Sequence, residues 1–253
     1  MQDFYNFFVQ NKFIYQTLLV LFITFLALFL SKIIFYKIGF VDKPNKRSNH
    51  KTPIALGGGM IIIPLIILFS KILGFSWPVH VLFSLFILLL VSIIDDVRNI
   101  NPLIRLLFHF LAVGTYVFFT ITPLLDMLIL DNIILLLITI IILILGTTWF
   151  INAFNFMDGI NGITSVQVIS ISLILLIFNF FLEKEINYLL VTIFLVMSVF
   201  CYFNWTPSSI FLGDSGSIPL GFLIIFTLTE IALQGYWMAP SILSLYYMMD
   251  TSI

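Results

Sequence analysis

Hydrophobic positions along this chain come in long unbroken runs, and short polar clusters separate them. Apolar residues fill Phe13–Ser31, Gly58–Leu73, Val79–Ile94, Leu106–Ile121, Ile133–Phe150, Ile163–Leu182, Ile186–Phe203 and Ile218–Gly235, and a further run begins near Met238. None shows the period-2 alternation of a barrel strand, and each approaches the roughly 20 residues that cross a hydrocarbon core. The pattern predicts an all-α polytopic membrane helix bundle with eight complete transmembrane helices plus an incomplete ninth, in a single domain over residues 1–253. The first run has no basic leader and no small-residue cleavage site, so it reads as a retained span and not as a signal peptide. The ninth run reads as one that stops before a full span and its loop are complete.

Composition fixes the solvent. The chain is 61% hydrophobic and 9% charged, against about 25% charged in soluble domains. A mean hydropathy of +1.18 leaves more apolar surface than a globular core can enclose. The net charge of −1 says nothing about partners, among which no nucleic acid is expected, and the single cysteine, Cys201, excludes an internal disulfide.

Basic residues set the orientation. Lys32, Lys37, Lys43, Lys46, Arg47 and Lys51 follow the first run and Arg98 and Arg105 the third, while Lys12, Lys71 and Lys184 fall on the other side. By the positive-inside rule the N-terminus is outside and the loop after the first span is cytoplasmic. Trp77 and Trp237 then lie at outer ends, Trp149 and Trp205 at inner ends. On this threading Asp42, Asp95, Asp96, Asp158, Asp214 and Asp250 share the cytoplasmic side, beside Gly, Asn, Ser and Pro; Asp3, Asp126, Asp131, Glu183 and Glu185 sit in plain outer turns, and Glu230 lies within a span.

Four inner stretches carry candidate chemistry. In "IIDDVRNINP" (93–102) two aspartates meet at a helix end. They repel each other and oppose the helix dipole there, so the pair is either a solvated helix end or a cation site. "FLGDSGS" (211–217) places Asp214 between glycines ahead of a helix, an ordinary turn or a phosphate-accepting helix start, and "NWTP" with Asn204 precedes it. "NAFNFMDGINGIT" (152–164) spaces Asn152, Asn155 and Asp158 along one helical face before Gly159, Asn161 and Gly162; it reads as polar capping or as a nucleotide or hydrated-metal site. "VDKPNKRSNHKTPIALGGG" (41–59) supplies Arg47, His50 and Lys51, either a headgroup anchor or phosphate-neutralising cations. His109 and Glu230 lie in spans as buried packing partners or a relay. Carboxylates, cations and glycine-rich turns on one face suggest phosphoryl transfer at the membrane surface, since Mg²⁺ is typically held by one or two carboxylates plus substrate phosphates. A secondary transporter is the rival reading, and it would place ionisable groups near the bilayer midplane.

Taken in order, "VDKPNKRSNHKTPIALGGG", "DDVRNINP", "NAFNFMDGINGIT" and "NWTPSSIFLGDSGS" resemble the polyprenyl-phosphate N-acetylhexosamine-1-phosphate transferases, over about residues 40–250. "NAFNFMDG" and the triple glycine look closest to the O-antigen initiating branch. The resemblance implies transfer of an N-acetylhexosamine 1-phosphate from a UDP-sugar to undecaprenyl phosphate, releasing UMP, with Mg²⁺ or Mn²⁺ as cofactor. The setting it implies is the bacterial cytoplasmic membrane, with the active site facing the cytoplasm and a homodimer as a candidate assembly. It further implies that Asp95 and Asp96 are the catalytic acid pair, that Asp158 serves nucleotide or metal, and that Asp214 joins Asp95 and Asp96 as a metal ligand. Arg47, His50, Lys51, Asn152, Asn155, Asn161 and Asn204 become the substrate-binding set. Two departures stand out. Asn161 occupies a place where the family commonly has aspartate, and the family's histidine-containing loop and last helices have no counterpart before Ile253. A truncated, inactive homologue is the alternative that this second departure raises.

Overall fold

The computed structural model describes residues 11–44, 50–120 and 132–250, with side chains described as far as Leu245. The helices among them are α1 (Lys12–Ile38), α2 (Gly59–Leu73), α3 (Val79–Arg98), α4 (Pro102–Thr120), α5 (Ile133–Met157), α6 (Ile163–Phe181), α7 (Tyr188–Asn204), α8 (Asp214–Leu233) and α9 (Met238–Asp250). Six of them, α1, α3, α4, α5, α6 and α8, are long and apolar enough to cross a membrane. The apolar α2 and α7 are shorter, at 15 and 17 residues, so six of the eight expected spans have full length and two fall short of it. The helix ends also differ from the apolar runs. α5 continues past Phe150 to Met157, carrying Asn152 and Asn155 inside the helix, and α8 begins at Asp214 itself.

The described residues form the expected helix bundle, with one short β-ribbon added to it. β1 (Val41–Asp42) pairs antiparallel with β2 (Ile54–Ala55), in register Val41↔Ala55 and Asp42↔Ile54. The cause is backbone accounting: buried amides need partners, and β-branched Val41 and Ile54 favour extended backbone. Ala55 and Ile210 bridge in parallel, Phe211 N–H donates to Ala55 O at 2.7 Å, and Gly58 N–H donates to Phe211 O at 2.9 Å.

The chain falls into two compact units, the first made of residues 1–76 and 164–211 and the second of 77–163 and 212–253. In the first unit α7 packs on both α1 and α2. Leu28, Ile62, Ile63, Ile66, Ile193, Val196, Met197 and Phe200 are wholly buried in it. The triple glycine has a steric reason here. A Cβ at Gly58 would lie 2.5 Å from the Phe200 ring and 3.1 Å from Phe211 O, so only hydrogen lets the start of α2 meet α7.

In the second unit α8 is the axis, packed against α3, α5 and α9, while α4 packs on α3 and α5. α8 is buried on nearly every face, as expected of a helix that is apolar all round with small residues where backbones approach. Tyr116 of α4 meets Phe222 edge-on, with ring centroids 5.3 Å apart. Ser84 Oγ on α3 donates to Ala112 O on α4 at 2.7 Å. The opposite extreme is α5, whose first two-thirds expose Ile133, Ile134, Ile141 and Ile142, the surface a bilayer covers.

Candidate active site

The site is assembled in the second unit from the end of α3, the start of α4, the end of α5 and the start of α8. Asp95 and Asp96 occupy the last turn of α3, which Asn99 closes in the left-handed conformation (φ 48°), its N–H donating to Asp95 O at 2.8 Å. The chain turns at once into α4, with Pro102 first in the helix and Asn101 Oδ1 accepting from Leu103 N–H at 2.9 Å. That tight reversal swings Arg105, in the first turn of α4, back toward α3.

Each carboxylate has a distinct job. Asp95 is buried; its Oδ1 accepts the Ile100 N–H and its Oδ2 accepts Arg105 Nη1, both at 2.8 Å. The same Nη1 donates to Asp214 Oδ2 at 2.8 Å. One guanidinium nitrogen therefore clasps two carboxylates from helices far apart in sequence. Asp96 turns the other way, its two oxygens accepting the N–H groups of Asp214 (2.9 Å) and Ser215 (3.0 Å). It caps the start of α8, satisfying two of the amides a helix leaves unpaired and placing an anion at the positive end of the dipole. Of the readings left open for these stretches, the aspartate pair at the end of α3 is compensated by the cationic Arg105 and by a neighbouring helix's N-terminus, and the first amides of α8 hold a carboxylate. Gly213 makes the approach feasible: its φ is +76°, and a Cβ there would lie 2.7 Å from Asp96 Oδ2.

Asn155 joins this group, its Oδ1 accepting from Ser217 Oγ in the first turn of α8. One turn earlier, Asn152 Nδ2 donates to Thr148 O at 2.7 Å and lies 3.3 Å from Nδ1 of the fully buried His109. Asp158 is the C-terminal cap of α5, its N–H donating to Asn155 O at 3.2 Å, and Asn161 lies in the turn that follows.

Thus Asp95, Asp96, Asp214 and Asn155 come together around Arg105 and the start of α8, with Asn152 one turn behind on α5. His50, Lys51 and Asn204 belong to the first unit, and Arg47 lies outside the described residues, as does the sequence around Asp126 and Asp131. His50 Nε2 is 3.7 Å from Asp42 Oδ2 and its ring stands edge-on to Phe211, while Lys51 is exposed. Asn204 is buried, its amide donating to Ile210 O at 3.0 Å; in this geometry it holds the 205–210 loop closed. Arg105, Ser217 and His109 are the members that motif reading does not single out as site residues.

Residues 78–232, well over half of the chain, match the family model described as Glycosyl transferase family 4. An undecaprenyl-phosphate alpha-N-acetylglucosaminyl 1-phosphate transferase of Pasteurella multocida (strain Pm70) is 39% identical over 97 residues, covering 35% of this chain and 26% of the relative. The Haemophilus influenzae protein of the same description is 37% identical over 94 residues, with the same coverage. A phospho-N-acetylmuramoyl-pentapeptide-transferase of Streptococcus suis (strain 05ZYH33) is 35% identical over 105 residues, 41% of this chain and 30% of the relative. The matches thus span between a quarter and a third of these relatives' length.

Proposed function

Because this chain belongs to glycosyl transferase family 4, we propose that it transfers an N-acetylhexosamine 1-phosphate from a UDP-sugar to undecaprenyl phosphate and starts a lipid-linked polysaccharide. The observation that carries the reading is the Asp95–Arg105–Asp214 clasp beside the Asp96-capped start of α8. An oxygen of the lipid phosphate attacks the sugar-bearing phosphorus, the bond to the bridging oxygen breaks, and UMP leaves. Phosphoryl transfer of this kind needs little covalent help from protein; it needs charge neutralisation and alignment. The second pKa of a phosphate monoester is near 6, so the acceptor is largely ionised at neutral pH and proton removal by Asp95 is a minor contribution.

The donor set fits Mg²⁺. Two hard carboxylate oxygens, on Asp95 and Asp214, already converge on one cationic nitrogen at 2.8 Å each. Among the described residues no group of three or more His, Cys, Asp or Glu gathers to hold a metal alone, so the rest of a bound cation's shell would have to come from water and substrate phosphates. Asp95 and Asp214 would hold it, and Asp96, with both oxygens on backbone amides, would fix the start of α8 against α3. Bound there, Mg²⁺ would supply neutralisation of charge on the transferring group. Asn152, Asn155 and Asp158 line the end of α5 as contacts for the nucleotide, and Arg105 gives a fixed donor for phosphate oxygen. N-acetylglucosamine is the sugar favoured by two of the three relatives' descriptions, and O-antigen initiation at the cytoplasmic face is the matching role.

Membranes carrying the chain, given UDP-sugar labelled in the sugar and undecaprenyl phosphate with Mg²⁺, should form a labelled lipid diphosphate and release UMP in equal amount. UMP release without labelled lipid, or labelled lipid with UDP release, would exclude the reaction.

A further inference from the structure

Away from the acidic cluster, the first unit contains a groove of about 610 Å³ between α1, α7 and the loop that follows α7. Its α1 wall is Phe25, Phe29 and Lys32, spaced as one helical face; the opposite wall includes Ser198, Cys201, Tyr202 and Trp205. The hydrocarbon part is aromatic: Phe25 lies 5.2 Å from Phe203 and 6.1 Å from Tyr202, centroid to centroid. Tyr202 and Trp205 are nevertheless 72% and 57% exposed. Lys32 is half-buried and pairs with no carboxylate among the described residues. It stands seven residues, about 10 Å along the helix axis, from Phe25, so the groove runs from an aromatic floor to a lone cation.

We propose that this groove binds one membrane phospholipid with a monoanionic head, its phosphodiester on Lys32 and the Trp205 indole N–H and an acyl chain along Phe29, Phe25 and Tyr202. Charge decides the class. Ser198 Oγ already donates to Phe194 O and Ser209 Oγ to Phe203 O, so neither hydroxyl hydrogen is offered to a ligand. Lys32 is the one cation among the groove's lining residues, and the Trp205 N–H and Tyr202 O–H are neutral donors beside it, so the groove matches a single negative charge. A polyprenyl phosphate monoester, closer to two charges at neutral pH, would be under-neutralised here. Lysine near an anionic headgroup and tryptophan at the interface are the groups that hold lipids at this depth.

The test is native mass spectrometry of the detergent-purified full chain offered phosphatidylglycerol, phosphatidylcholine or undecaprenyl phosphate. Phosphatidylglycerol should be retained in preference to phosphatidylcholine, and Lys32→Gln should weaken its retention about fivefold, the increment of one lysine at an anionic surface. Trp205→Phe should give a smaller loss, and Lys37→Gln, on the same helix but off the groove, none. Equal retention by wild type and Lys32→Gln would reduce Lys32 to a topological anchor and overturn the site. Retention of phosphatidylcholine equal to that of phosphatidylglycerol, or displacement of phosphatidylglycerol by equimolar undecaprenyl phosphate, would overturn the choice of ligand.

Discussion

Asparagine at position 214 keeps the shape of the side chain and removes the charge that Arg105 shares with Asp95. Asp214→Asn should therefore lower transfer by about 10² to 10³-fold, the usual loss for one preorganised electrostatic contact, with Asp95→Asn comparably severe. Glu183→Gln, at an exposed turn, should stay within about twofold of wild type in the same labelled-lipid assay, and similar rates for all three would remove the clasp from the mechanism. Gly213→Ala tests the geometry without touching a charge. Its methyl must displace Asp96 from the Asp214 and Ser215 amides, so activity should fall at least about tenfold while the protein remains folded in detergent; unchanged turnover would show that the cap is not needed. The aspartates are legible in sequence because paired or glycine-flanked acids at the ends of apolar runs are costly unless used. Arg105 is not, because beside Arg98 it reads as one more inside charge. Its signal was the demand of two aspartates for a counter-ion, together with a turn short enough to bring the next helix back.

Among the elements, the start of α2 and α7 meet through one missing side chain. Gly58→Ala should destabilise the first unit by about 1–3 kcal/mol, the ordinary cost of overpacking, seen as a lower melting temperature. Phe200→Leu should recover part of that loss in the double variant, because the added methyl and the ring compete for one space. Additive losses would mean that the close approach is relieved elsewhere. Helix existence and type were readable from run length and the absence of alternation. Helix ends were not: α8 starts four residues before its apolar run because Asp96 caps it from another helix, and α5 overruns its apolar run because Asn152, Asn155 and Ser217 give its polar end partners. The ribbon was hidden for a related reason, since strands two residues long carry no period to detect.

For the whole molecule, the exposed apolar flanks of α1 and α5 and six membrane-length helices describe a multi-pass membrane protein, and the lysine and arginine bias predicts which side each loop faces. With Cys201 replaced by serine, single cysteines at Lys51 and Arg98 should react with an impermeant maleimide only from the cytoplasmic side, and one at Lys184 only from outside. Labelling of position 98 from outside would invert the topology. The two compact units hold a further consequence, for how the chain is made. α1 and α2 are synthesised first, yet α7, on which both pack, begins about 115 residues later. At roughly 5–20 residues per second the ribosome takes about 6–23 s to deliver it, and meanwhile the start of the second unit emerges. Insertion order and packing order are therefore different sequences of events. For that interval the buried faces of α1 and α2 must rest against lipid or the insertion machinery, and a ribosome stalled between α3 and α6 would hold the two helices side by side without the partner that joins them.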